Sequence, residues 1–197
     1  MCHCIETIRI EGGRVWQLDY HQRRLDATRR ELFPDAGPLD LRDAVPSALP
    51  SAGVYRLRVT YAEALERVEL EPYRRRTVRT LACVYVDCVD YRFKWADRRE
   101  LQRLLQQRGD ADEIIIVRDG LVTDSSYSNL ALFGGNRWVT PDSPLLAGTM
   151  RARLLDQRTI SEAPVPIEEL VHYTHVALIN ALNPLGALVV PLGAVRL

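Results

Sequence analysis

Short apolar runs, each stopped by a glycine- or proline-bearing turn, recur along the whole of this 197-residue chain and restrict it to a fold with many short strands. Residues 4–10 read as a strand, Glu11-Gly12-Gly13 as hairpin turn chemistry, and residues 14–18 as the returning arm. Residues 54–61 alternate Tyr55, Leu57 and Val59 against Arg56, Arg58 and Thr60, the pattern of a half-buried strand, and residues 67–72 and 78–86 add two more. Helical spacing is confined to a few segments. It predicts a helix over 20–32, with Leu25 and Leu32 on one face, Arg23, Arg29 and Arg30 toward water, and a stop before Pro34. A second helix is expected over 39–49, shortened or kinked by Pro46.

The texture changes after Val86. A polar connection leads to Lys94, followed by a helix over 97–107 with Leu101, Leu104 and Leu105 inward. The apolar run 113–117, the turn Arg118-Asp119-Gly120 and the segment 121–123 form a second hairpin. Strands follow at 129–133, 137–140, 176–180 and 187–191, with a helix over 149–157. These readings give an α+β chain of two domains, 1–86 and 87–197, with Lys94 just beyond the junction, where interdomain clefts hold ligands.

Composition removes several function classes. The 26 acidic and 26 basic residues cancel, so nothing global attracts nucleic acid or an anionic membrane. The apolar stretches fall far short of the ~20 residues that span a bilayer, and Met1-Cys2-His3-Cys4 lacks the apolar core of a signal peptide. A cytoplasmic protein with small-molecule partners is expected. Cys2, Cys4, Cys83 and Cys88 form no CxxC pair, and the tight Cys2-His3-Cys4 spacing lacks a second cluster to complete a zinc site, so no metal is expected.

Of the 26 cationic side chains, 25 are arginine and one, Lys94, is lysine. Arginine stays protonated in a protein, whereas a lysine amine can lose its proton and attack a carbonyl. Composition drift accounts for a lone lysine equally well, so its surroundings decide.

Those surroundings carry a resemblance. In chain order stand His21-x-x-Arg24-Leu25, Lys94 opening a helix with Asp97-Arg98, Thr123-Asp124-Ser125-Ser126-Tyr127-Ser128-Asn129, and Leu145-Leu146-Ala147-Gly148-Thr149-Met150-Arg151. This order resembles the class IV aminotransferases, pyridoxal-phosphate enzymes of fold type IV that include branched-chain and D-amino-acid aminotransferases and aminodeoxychorismate lyase. The resemblance runs from Ile5 to about Gly186. It implies a small N-terminal α/β sandwich, a C-terminal pseudo-barrel, pyridoxal 5'-phosphate as cofactor and a homodimer, and it leaves the family's usual N-terminal segment, which helps wall the substrate pocket, unmatched.

The resemblance also assigns roles. Lys94 becomes the Schiff-base residue, and the N-terminal amine is its only competitor. Asp124, five residues before Asn129, stands where the family has a glutamate that keeps the pyridine nitrogen protonated, one methylene shorter. Asp124 could also simply cap the turn at Ser125-Ser126. Arg24 matches the phosphate-binding arginine; Gly148-Thr149, opening a helix, supplies an anion site; Asn180-Ala181 matches a third phosphate-side loop. Arg24 is also one of many surface-type arginines, and Gly148 suits an ordinary turn. Transaminating relatives often carry a tyrosine a turn after the lysine. Here Asp97, Arg98 and Arg99 occupy that stretch, with Tyr91 and Tyr127 as possible substitutes and Arg9 or Arg92 as candidates for a substrate carboxylate. The leading expectation is amino transfer between an amino acid and a 2-oxo acid. The alternatives are release of pyruvate from aminodeoxychorismate and a binding protein that keeps the fold without the chemistry.

Overall fold

The computed structural model describes residues 3–197, so Cys2 of the Cys2-His3-Cys4 group lies outside it. The chain divides into two compact units: residues up to Arg75 together with Phe93–Asp97, and Arg76–Arg92 together with Arg98–Leu197.

In the first unit, β1 (Cys4–Glu11) and β2 (Arg14–Val15) form the expected hairpin; Gly12 and Gly13 at φ 59° and 68° supply the two positive dihedrals that a tight primed turn demands. Helix α1 (Leu18–Leu32) crosses to β3 (Val54–Tyr61) and β4 (Leu65–Pro72), giving an antiparallel sheet in the order β2-β1-β3-β4. Ile8 and Ile10 of β1, Leu25 of α1, Leu57 and Val59 of β3, and Phe93 share one core. Two expectations fail here. Arg29, assigned to water, is buried and donates to the carbonyls of Ala62, Glu63 and Gly37, tying the end of α1 to the β3–β4 turn. The helix over 39–49 is only a 3-10 turn, Leu41–Ala44, started by Asp40 accepting from the Arg42 N–H; Val45, directly before Pro46, is pushed to extended backbone.

Residues 93–97 belong to this unit for identifiable reasons. Phe93 packs in its core and meets Trp95 edge to face at 5.3 Å. The Ile5 N–H donates to the Lys94 carbonyl at 2.9 Å, the Ala96 N–H donates to the His3 carbonyl at 2.8 Å, and Trp95 bridges Cys4. Lys94 therefore lies beside the start of β1 and opens no helix, the helix that follows beginning only at Arg99, while the junction expected near residue 86 falls inside the second unit.

In the second unit, β5 (Leu81–Val86) and β6 (Glu113–Arg118) run parallel, joined by a crossover that includes α2 (Arg99–Gln106). β6 is buried on both faces: Ile114 and Ile116 meet Leu101 and Leu104 of α2, and Ile115 and Val117 enter the main core. The hairpin partner β7 (Leu121–Val122) completes one edge. Strands β8 (Asn129–Gly134) and β9 (Arg137–Pro141), helix α3 (Thr149–Asp156), β10 (Ile160–Ala163), β11 (His175–Ile179) and β12 (Val189–Pro191) follow, and the five strands form a sheet in the order β10-β9-β8-β11-β12. Met150 and Leu154 of α3 pack on Ala131, Ala177 and Ile179 of that sheet. The short β13 (Val195–Arg196) pairs in parallel with β5, giving the order β13-β5-β6-β7. The architecture is mixed α+β.

Candidate active site

The expected site residues fall into two groups, one in each unit. In the first, strand alternation brings Cys4, Glu6, Ile8 and Ile10 to one face of β1, so a carboxylate occupies a core position. Glu6 and His21 have fully buried side chains. Glu6 Oε2 meets His21 Nδ1 at 2.6 Å, and Arg24 donates from Nε to Oε1 at 2.9 Å and from Nη2 to Oε2 at 2.6 Å. Burial works to raise the Glu6 pKa, but the Arg24 charge and the hydrogen bonds from His21 and Arg24 outweigh it and hold the carboxyl at about 2, below its ordinary 4.5. Burial lowers the pKa of His21 against the pull of Glu6, and the positive charges of Arg24 and Lys94 push the same way. A neutral His21 beside an acceptor-only carboxylate carries its hydrogen on Nδ1; Nε2 is buried with no partner. Lys94 is half-buried. Of the two arginines suggested for a substrate carboxylate, Arg9 pairs with Glu11 at 2.7 Å and lies over Trp16, and Arg92 lies near Asp90.

The second group is centred on Asn129. Its Nδ2 donates to Asp124 Oδ1 and to the Leu146 carbonyl, both at 2.8 Å, and the Leu146 N–H donates to Asp124 Oδ2 at 3.0 Å. The turn after Asp124 is closed by Ser125, whose Oγ accepts from the Tyr127 and Ser128 N–H groups, so the Asp124 carboxylate faces Asn129 and residue 146 instead. Burial raises the Asp124 pKa from 3.8 to about 6, against the opposing Asn129 and Leu146 hydrogen bonds and the Arg151 charge. Gly148 is the N-cap of α3, and Thr149, the first helical residue, is buried. Asn180 donates from Nδ2 to Ser128 Oγ at 2.8 Å, while its Oδ1 accepts from the Leu182 and Asn183 N–H groups, so the turn carrying Ala181 is braced against the loop that ends at Asn129.

Three residues escaped the role assignments. The resemblance puts Glu6 on a pocket-facing strand without a role and His21 only in a spacing; a charged residue in phase with Ile8 and Ile10 is the signal for the burial of Glu6. Glu113 is the third: its Oε1 accepts from the Ser126 N–H at 3.1 Å, while Arg98 Nη2 donates to the Ser126 carbonyl at 2.5 Å, so the peptide groups on either side of Ser126 are both held. No group of three or more His, Cys, Asp or Glu side chains is arranged to hold a metal among the described residues.

Residues 90–189 match the family model for amino-transferase class IV. The chain belongs to the class IV aminotransferases. An uncharacterised protein of Haemophilus influenzae is 34% identical over 183 residues, covering 91% of this chain and 97% of that relative. The crystal structure of a candidate 4-amino-4-deoxychorismate lyase of Haemophilus somnus is 37% identical, with a TM-score of 0.87, covering 94% of this chain and 98% of that one. A hypothetical aminotransferase of Mycobacterium tuberculosis in its pyridoxal-phosphate-bound form, 19% identical with a TM-score of 0.79, covers 98% of this chain and 81% of its own; at that identity it speaks for the fold. The α+β architecture of this class IV aminotransferase is that of fold type IV pyridoxal-phosphate enzymes.

Proposed function

We propose that this chain is a pyridoxal-phosphate-dependent enzyme that holds its cofactor through Lys94 and acts at the carbon bearing a substrate amino group. The observation that carries the reading is the position of the only side-chain amine, tied through its own backbone to β1 beside the buried Glu6–His21–Arg24 group.

The donor set fits that cofactor on its own chemistry. It offers one amine for an aldehyde, a guanidinium held in place by Glu6 for a phosphate, a helix opened by a glycine that presents no side chain to its first turn, and a buried carboxylate that hydrogen-bonds Asn129 and the Leu146 N–H. Pyridoxal phosphate, when bound, supplies an aldehyde that condenses with an amine and a ring that draws electrons from the neighbouring carbon. Lys94 is the proposed anchor: its Nζ would hold the cofactor's aldehyde carbon and would carry the proton to and from the substrate α-carbon. Asp124 is proposed to hold the proton on the ring nitrogen; burial lifts its pKa to about 6 in the protein alone, and a cationic ring N–H beside it would favour the carboxylate. Asn129 orients Asp124, and Arg24, Gly148, Thr149 and the Asn180-Ala181 turn are proposed to serve the phosphate.

Two reactions use this proton transfer. Elimination of pyruvate from aminodeoxychorismate to give 4-aminobenzoate is favoured by the 37% identity to the Haemophilus somnus candidate lyase over nearly the full length of both chains. The stretch after Lys94 points the same way, because Asp97, Arg98 and Arg99 stand where transaminating relatives often carry tyrosine, and Arg98 is engaged on the Ser126 carbonyl. Amino transfer to a 2-oxo acid is the second reading, favoured by family membership. We also propose a homodimer. The test supplies purified protein with pyridoxal phosphate and measures pyruvate release from aminodeoxychorismate alongside amino transfer to 2-oxoglutarate. Pyruvate release supports the first reading, transfer alone supports the second, and a protein that takes up no cofactor contradicts both.

A further inference from the structure

Strand β1 carries a carboxylate at a position where its pattern calls for an aliphatic side chain. Cys4, Glu6, Ile8 and Ile10 share a face, and Glu6 is as buried as its neighbours. A charge so placed is tolerated only when paired and hydrogen-bonded. Both partners come from α1, three residues apart and so on one face of the helix. His21 takes one side of the carboxylate at 2.6 Å, and Arg24 spans both oxygens with Nε and Nη2.

Two parallel N–H···O bonds fix the plane of a guanidinium as well as its location. An arginine free to sample many rotamers loses that freedom when it takes a ligand, which weakens binding; Arg24 has already lost it in the fold. A buried ion pair of this kind is a poor device for stability, since apolar residues of similar volume generally serve as well. Its value therefore lies in what it holds still.

We infer that Glu6 is a positioning residue for phosphate recognition: by holding Arg24 through Nε and Nη2 it fixes the plane and location in which the guanidinium meets a phosphate, with His21 bracing the other side of the carboxylate. The inference rests on the reading of Arg24 as a phosphate donor. A contrary effect is built into the same geometry, because the Glu6 charge offsets that of Arg24. If this offset dominates, removing the carboxylate tightens phosphate binding.

The experiment titrates cofactor-free protein with pyridoxal 5'-phosphate and, separately, with pyridoxal, which has the same aldehyde and ring but no phosphate. The dissociation constant of pyridoxal divided by that of pyridoxal 5'-phosphate isolates the phosphate's share. Glu6→Gln is expected to lower that ratio by at least about tenfold while pyridoxal binding stays within about threefold of wild type. Glu6→Asp keeps the charge but withdraws it by one methylene, and is expected to behave in the same way. Arg24→Met lowers the ratio too, and adding Glu6→Gln to it produces no further fall.

A Glu6 that only supports the fold weakens both ligands alike. A Glu6 that acts only as a counter-charge gives tighter phosphate binding in Glu6→Gln and wild-type behaviour in Glu6→Asp. Either result overturns the inference, as does failure of both variants to fold, which assigns Glu6 to the structure alone; if only Glu6→Gln fails, Glu6→Asp carries the comparison. Wild type that takes up neither aldehyde overturns the cofactor reading itself, whereas a phosphate preference indifferent to Glu6 removes the positioning role and leaves that reading intact.

Discussion

The side-chain oxygen of Asn129 occupies the space that a β-carbon on Gly148 would need: an ideal Cβ there falls 1.9 Å from Asn129 Oδ1. The glycine that opens α3 thus admits a side chain of the protein itself, and through Asn129 the helix start is coupled to Asp124.

Gly148→Ala tests that coupling. Gly148 has φ −75° and ψ 145°, which alanine adopts freely, so any loss comes from space and not from backbone strain. Asn129 must move and give up its bonds to Asp124 and the Leu146 carbonyl. Urea unfolding should show a loss of about 1–3 kcal/mol, and the cofactor dissociation constant should rise along with it. Wild-type stability in Gly148→Ala would mean that Asn129 has another place to go.

Asp124 sets a pH dependence of its own. Its folded pKa, about 6, lies above the ordinary 3.8, so the folded state binds the extra proton between those values. Its contribution is present below pH 3.8 and is lost as pH rises through about 6. Asp124→Asn should remove this downward slope in the cofactor-free protein, as followed by urea midpoints across pH. With Asp124 on the ring nitrogen as proposed, loading pyridoxal phosphate should flatten it as well, since a ring N–H cation would favour the charged carboxylate.

His21 and Glu6 act in the opposite sense. Both folded pKa values are depressed, from 6.5 for His21 and from 4.5 to about 2 for Glu6, so the unfolded chain binds more protons on acidification. The His21 contribution is present above pH 6.5 and falls below it; the Glu6 contribution is present above 4.5 and is lost toward 2. His21→Asn sets an amide nitrogen near the place of Nδ1 without a titrating ring. It should lose about 1–2 kcal/mol of packing at pH 7 and show no additional fall between pH 6.5 and 5. An unchanged acid profile would show that His21 is already protonated in the fold.

What the sequence disclosed depended on periodicity and turn chemistry. The strand at Val54–Tyr61 was legible to the residue because its arginines alternate with Tyr55, Leu57 and Val59. Gly12-Gly13 and Asp119-Gly120 marked their hairpins through the positive φ they supply. Strands at Ile160–Ala163 and Val195–Arg196 were not legible: Ile-Ser-Glu-Ala and Val-Arg are too short to show a period, and their pairing with β9 and β5 comes from distant chain. Lys94 and Arg24 stood out by residue type and spacing. The side chains that hold the site in shape did not. The strand of Glu6 faces the pocket in relatives, but nothing in the sequence marks its carboxylate as buried, and only the α1 pairing reveals that. The same holds for Arg29, whose three carbonyl partners lie in segments remote from it in sequence or in an irregular loop.

The role of Lys94 can be read covalently. Protein loaded with pyridoxal phosphate is reduced with borohydride, digested, and mapped by mass spectrometry, in wild type and in Lys94→Arg, which keeps the charge and removes the attackable amine. A single pyridoxyl group on the peptide containing Lys94, absent from Lys94→Arg together with the visible absorbance, is the predicted result. An adduct on the N-terminal amine, an adduct that persists in Lys94→Arg, or none in wild type would contradict it.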